Sequence, residues 1–239
     1  GSDADAHRML DQRGLIFSLI RDFPYLADAA PSDSAWSNVK LLVGADGSIV
    51  DESSIARSLT NTNVAVGSPV VAGSGAMLFD SANDALSAAD AADLVIGAGD
   101  FTAECWYAGT GAAPAGELVF FIKTGSGQKE FAANWFGGAF NIFASSDGNN
   151  WTTNVVFSTP AAFQAVFWNG ATRHLALVKS GSTWALYING EKMQSTISLG
   201  TVFNGTGVLS VALGGVAPVG SMDEWRATYG TARYTTEMA

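Results

Sequence analysis

From Trp36 onward the chain carries no sustained helical period. Its apolar residues recur at every second position, in short runs broken by Gly, Asn, Asp and Ser. Period two is the spacing of a pleated strand with one face buried, and without helical crossovers neighbouring strands cannot all run parallel. Strands are predicted at 39–43, 76–79, 101–107, 118–123, 139–144, 174–179, 184–189, 208–213 and 222–228. In 101–107, Phe101, Ala103, Cys105 and Tyr107 share one face, opposite Thr102, Glu104 and Trp106. Cys105 then reads as a small buried apolar residue. Asn189-Gly190 supplies two adjacent positive-φ positions, the requirement of a type I′ turn, so a hairpin is predicted there. Many short strands joined by Gly-rich turns imply an all-β, antiparallel two-sheet sandwich. Only 14% of residues are charged against 48% hydrophobic, and 27 Gly outnumber 6 Pro, which argues against disorder, coiled coil and collagen.

Residues 3–35 differ in kind. On a helical wheel Met9, Leu10, Leu15, Ile16, Phe17, Leu19, Ile20 and Phe23 sweep roughly 220°, a stripe too wide for a helix lying alone on one flat surface. Pro24 ends the pattern, and residues 28–34 read as a linker. The expected organisation is a helical arm over 1–35 and a sandwich over 36–239. Such a helix can pack on its own domain or meet another chain, and a disordered arm is the third alternative. Gly1-Ser2 has the form of a tag remnant.

Twelve Lys and Arg face 22 Asp and Glu, a net charge of -10 that repels nucleic acid and anionic membranes. Cys105 is the lone cysteine, which excludes an intrachain disulfide and multi-thiolate zinc. No apolar run approaches the ~18 residues of a membrane span, and the start lacks a signal-like pattern, so a soluble chain without membrane insertion is expected.

Three segments in order, 79–84 (Phe-Asp-Ser-Ala-Asn-Asp), 86–94 and 97–106, resemble the laminin-G-like branch of the concanavalin A-like lectin/glucanase superfamily. Residues 173–190 look like its central hairpin. Gly220-Ser-Met-Asp-Glu-Trp-Arg226 with Gly230-Thr-Ala-Arg-Tyr-Thr235 looks like its closing strand. The resemblance covers about residues 39–236 and implies a jelly-roll sandwich. Its terminal pattern is similar to copies found in bacteriophage virion proteins.

The glucanases of that superfamily carry Glu-x-Asp-x-x-Glu on one strand, with acidic side chains pointing into a cleft. None of Glu52, Glu104, Glu117, Glu130, Glu191, Glu224 and Glu237 has that spacing. Glu104 is the one inside a convincing central strand, and adjacent Asp223 and Glu224 would face opposite ways. His7 lies in the arm, and His174 reads as a partly buried sheet residue. No Gly-x-Ser-x-Gly elbow or phosphate loop is present. A non-enzymatic chain is expected.

Calcium takes six to eight oxygen ligands, which Asp-rich turns can supply. The resemblance implies a structural ion where the first and last strands meet, with Asp46, Asp51 and Asp223 as candidate ligands; Asp80 and Asp84 form a second cluster. Turn capping is the alternative for all of them. Sugars stack their C–H faces on exposed aromatic rings, so aromatics in Gly/Asn-rich segments are candidate platforms. Trp135, Trp151 and Trp168, with Asn150 and Asn169, have that setting, and core packing is the alternative for each Trp. Trp106, Trp184 and Trp225 lie in predicted strands and read as core.

The expected function is a bacteriophage structural protein of tail, fibre or capsid decoration, located in the virion and binding a cell-surface glycan or another virion protein. The arm would make it a homo-oligomer, with a trimer favoured by the phage resemblance. A secreted bacterial carbohydrate-binding module is the alternative, and a glycoside hydrolase of the same superfamily the second.

Overall fold

The computed structural model describes residues 33–81, 83–109, 118–125, 127–136, 138–157, 169–197, 200–212 and 219–235. In chain order the described strands are β1 (Val39–Gly44), β2 (Val50–Asp51), β3 (Leu59–Thr62), β4 (Ala65–Gly67), β5 (Ala76–Phe79), β6 (Ala85–Ala88), β7 (Phe101–Gly109), β8 (Leu118–Gly125), β9 (Gln128–Phe136), β10 (Ala139–Ala144), β11 (Thr153–Phe157), β12 (Arg173–Ser180), β13 (Thr183–Ile188), β14 (Glu191–Ile197), β15 (Val208–Ala212) and β16 (Gly220–Tyr229). They form two antiparallel sheets. The larger runs β14-β13-β12-β7-β16-β1-β2, with β5 also on β16 and β4 on β5; the smaller runs β11-β10-β9-β8-β15-β6-β3. The fold is all-β, consistent with a jelly-roll sandwich. The chain divides into two units, Gly1–Trp36 and Ser37–Ala239, and the sheets belong to the second. The predicted arm helix, from Met9 to Phe23 in the arm over 1–35, lies outside the described residues.

Alternation decides what each strand buries. Phe101, Ala103, Cys105 and Tyr107 all join the core between the sheets, as their shared face requires. There Phe121 stacks on Trp225 at 5.2 Å and Phe131 on Trp184 at 5.4 Å between centroids. Burying one such side chain is worth about 1.5–3 kcal/mol relative to exposing it. The Cys105 thiol is buried here, and burial pushes its pKa up, so it is an inert apolar filler. Asn189 and Gly190 have φ of 50° and 83°, and Ile188 pairs with Glu191 across them, the two-residue hairpin expected from the sequence.

Strand β9 is absent from the prediction. Its start, Gln-Lys-Glu, is polar, and two alanines interrupt the β-branched and aromatic run that marks a strand. The period is nevertheless present, since Phe131, Ala133 and Trp135 all point into the core.

One irregularity positions the chemistry of the molecule. Across the β16–β7 ladder Asp223 pairs with Trp106 and Arg226 with Glu104, so two residues of β16 face one of β7. Glu224, at φ 50°, is in this bulge. The extra residue turns Trp225 into the core at 2% exposure and sets Arg226 opposite Glu104.

Candidate functional site

Glu104 lies in the middle of β7 on the face turned away from the core, and it is still only 4% exposed. A carboxylate there is stable only if its charge is matched. Arg226 donates from Nε and Nη2 to Oε1, both at 2.7 Å. His174 Nε2 lies 3.2 Å from Oε2, Arg233 Nε 3.3 Å from Oε1, and the Tyr234 hydroxyl donates to Oε2. Burial by itself raises the Glu104 pKa; the Arg226 guanidinium, the His174 ring and the Arg233 guanidinium outweigh it and hold the carboxyl far below its usual range. Tyr234 is pushed the other way, by its burial and by the Glu104 charge.

Residues 230–235 supply two of these partners by crossing the outer face as a strap. The Gly230 N–H donates to the Asp100 carbonyl at 2.7 Å. Thr102 Oγ1 donates to the Thr231 carbonyl at 3.1 Å and accepts from the Arg233 N–H at 3.0 Å. Ala232 and Tyr234 then pack over Ala176, Val178, Ala185 and Tyr187. Arg233 and Tyr234 went unrecognised as Glu104 partners in the sequence, although the Gly-x-Ala-Arg-Tyr pattern marked them. A carboxylate enclosed by cations and a phenol has no lone pair directed at solvent and stays ionised, so Glu104 is unsuited to carry a proton to or from a sugar.

On the outer face of the smaller sheet Trp151 is half-buried. Its ring is 5.8 Å from Phe143, and Lys129 Nζ lies 5.9 Å from its centroid. Val119, Ile122 and Ala132 are buried beneath. The turn before it is rigidly made. Asp147 Oδ1 accepts from the N–H groups of Asn149 at 2.9 Å and Asn150 at 3.0 Å, which lowers the Asp147 pKa, and Ser145 Oγ accepts from Gly148 N–H at 2.8 Å. Phe203 packs where a Cβ at Gly148 would lie, at 2.5 Å. Trp151 therefore presents a fixed ring, with Phe143 and Lys129 as neighbours that sequence spacing did not reveal. Asn150 is exposed beside it.

Trp135 is not a platform. It is 1% exposed in β9, and the ring at the hairpin surface is its neighbour Phe136, at 53%. The Gly-rich setting suggested a loop, but it is only the turn after the strand. Asn169 is exposed and its Oδ1 accepts from Ala171 N–H at 3.0 Å, while Trp168 lies outside the described residues.

A family model of the concanavalin A-like lectin/glucanases superfamily, of laminin G type, matches residues 80–233. The chain belongs to this superfamily. No curated protein matches its sequence significantly. Among solved structures, the binding domain of Paraclostridial Mosquitocidal Protein 1 shares 16% identity at a TM-score of 0.68, over 84% of this chain and 51% of that one. The receptor binding domain of botulinum neurotoxin D shares 10% at 0.66, over 84% and 51%. A botulinum neurotoxin type C structure, described by a dependence of cell entry on two ganglioside molecules, shares 9% at 0.65, over 82% and 49%. The chain spans about half the length of these structures, and the likeness is one of fold.

The three aspartates read as calcium ligands for this superfamily member are occupied otherwise. Asp51 Oδ1 accepts from the N–H groups of Leu42 and Ser53 at 3.0 and 2.9 Å, and Oδ2 from Ser53 Oγ and Arg57 N–H at 3.0 and 2.7 Å. Asp223 Oδ2 accepts from Val71 and Ala72 N–H at 2.7 and 3.0 Å and Oδ1 from Glu224 N–H at 3.0 Å. Asp46 Oδ1 accepts from the N–H groups of Ser74 and Gly75. Backbone N–H groups thus hold oxygens of all three aspartates, and among the described residues no group of three or more His, Cys, Asp or Glu side chains could hold a metal. Asp46 and Asp223 fasten the 71–75 loop to the sheet. Asp84 is likewise a turn cap, with Oδ2 accepting from the N–H groups of Asp80 and Ser81 at 2.8 and 2.9 Å. Glu224 lies in the bulge at φ 50°, so strand alternation does not set its side relative to Asp223. Burial, with Asp223, Glu52 and Asp46 close by, pushes the Glu224 carboxyl up to about 8.

Proposed function

We propose that the chain is a non-enzymatic adhesion domain of a bacteriophage virion protein, in tail, fibre or capsid decoration, that holds a cell-surface glycan or another virion protein. The observation that carries the binding reading is the contrast between its two outer faces. Glu104, the carboxylate in the middle of β7, is locked in an ion network, whereas Trp151 offers a half-exposed ring flanked by Lys129 and Asn150. The superfamily match and the three fold neighbours named above, two described as binding domains and one by ganglioside interaction, support it. The virion context rests on the terminal pattern resembling phage copies. The apolar arm before Ser34 would join copies of the chain, and light scattering on the chain with and without residues 1–33 tests that: a monomer in both forms overturns it.

The test of adhesion is retention of the labelled chain on a panel of bacterial cells before and after enzymatic stripping of their surface polysaccharide. Binding is expected to fall on stripping and on Trp151→Ala. Undiminished binding to stripped cells would remove the glycan reading, and release of reducing ends would remove the non-enzymatic one.

A further inference from the structure

We infer that a second sugar site lies on the outer face of the larger sheet, in a groove of about 230 Å³ between β12–β14 and the strap, and that it takes a single pyranose bearing a carboxylate. The inference rests on the adhesion reading and assigns it a ligand class.

The groove follows from side-chain size. Alternation places Val178, Ala185 and Tyr187 on the outer face, while Leu177, Trp184 and Leu186 fill the core. Small Val178 and Ala185 lie on the floor beside the far larger Tyr187 and Tyr234, so the surface is hollow where they meet. Its volume is far above the ~10–15 Å³ that one water needs, and it admits a six-membered ring.

The lining is amphipathic in the way a sugar is. The half-buried Tyr234 ring suits the C–H face of a pyranose, with Val178, Ala185 and Tyr187 closed beneath it. Around the rim the hydroxyls of Ser180, Thr183 and Ser195 have no hydrogen-bond partner among the described residues, leaving donors and acceptors for ring hydroxyls. At one end Lys192 Nζ lies 5.7 Å from the Tyr187 ring centroid and 3.4 Å from the Thr235 carbonyl, and it makes no ion pair with a described carboxylate. Such an ammonium attracts an anionic group locally, against the repulsion of the chain's net charge of -10. A phosphate would call for an Arg fork or a backbone nest, and the described lining has neither, so a carboxylate is the better match. Among the described residues no carboxylate lines the groove.

Saturation-transfer NMR and calorimetry on the full chain test this, with methyl glucuronide and methyl glucoside as probes. The glucuronide should bind about tenfold more tightly, and Lys192→Met should abolish the difference. Ala185→Leu, filling the floor, should abolish both signals, and Trp151→Ala should change neither. Absence of saturable glucuronide binding at tens of millimolar, equal binding of the two sugars, or binding that survives Ala185→Leu would overturn the inference. If glycan-dependent cell adhesion persists in Lys192→Met and Ala185→Leu, the groove fails and the adhesion reading stands. If glucuronide binds the groove while cell binding ignores stripping, the adhesion reading fails and the groove stands.

Discussion

Arg226 stands directly across the ladder from Glu104 because one extra residue, Glu224, is inserted into β16. Without that bulge Trp225 would oppose Glu104 and lose its place against Phe121. A single backbone irregularity thus satisfies a buried charge and fills the core. Removing one partner from a buried ion network leaves the other desolvated and unmatched.

Arg226→Met should accordingly destabilise the domain by about 3–5 kcal/mol, measured by urea unfolding. Glu104→Gln should cost a similar amount and loosen the strap, read as faster amide exchange at Arg233. A loss near zero for both would show the network to be dispensable.

Stability should peak in mildly acidic solution. Glu224 has its ordinary value of 4.5 when unfolded and about 8 when folded, so between these pH values folding takes up a proton. Stability then falls as pH rises through that interval and levels off above about 8. Glu104 has the opposite sign: its folded pKa is lowered, so its contribution is complete above its unfolded value and is lost as pH falls below it. Melting temperature against pH, compared with Glu224→Gln, checks this. The variant should lose the decline between 4.5 and 8, and parallel curves would overturn the assignment.

Asp51→Ala strips the acceptor from three backbone N–H groups and the Ser53 hydroxyl. A cost of about 3 kcal/mol is expected, with Asp51→Asn recovering part of it. Exchange of chelator for millimolar calcium should leave the wild-type melting temperature unchanged. A rise would return Asp46 and Asp223 to metal binding.

Gly207→Ala should cost about 1–3 kcal/mol, because its Cβ would lie 2.1 Å from the carbonyl carbon of Thr124, in backbone that cannot step aside. Gly200→Ala, which meets only Ser182 Cβ at 3.7 Å, should stay within about 0.5 kcal/mol. Equal thermal shifts for the two would contradict the close approach of β8 and β15.

Period two along 101–107 was enough to assign Phe101, Ala103, Cys105 and Tyr107 to the core, and Asn189-Gly190 to name its turn, because strand alternation and positive φ are local properties of the chain. What covers the opposite face is not local. Glu104 read as an isolated acid on a strand until Arg226 and Tyr234, 122 and 130 residues away, closed over it. Trp135 and Trp151 have similar neighbours in sequence, and they part because one lies on the inward row of a strand and the other on an outer surface. Asp51 and Asp223 had the composition of metal ligands and became anchors once folded backbone placed N–H groups against their oxygens. The sequence by itself determined the sandwich and the side of the strand each of these β7 residues faces. The tertiary structure alone decided which outward residues are sealed, which are shared among distant partners, and which are left to meet a ligand, since that depends on pairings whose register one bulge can shift.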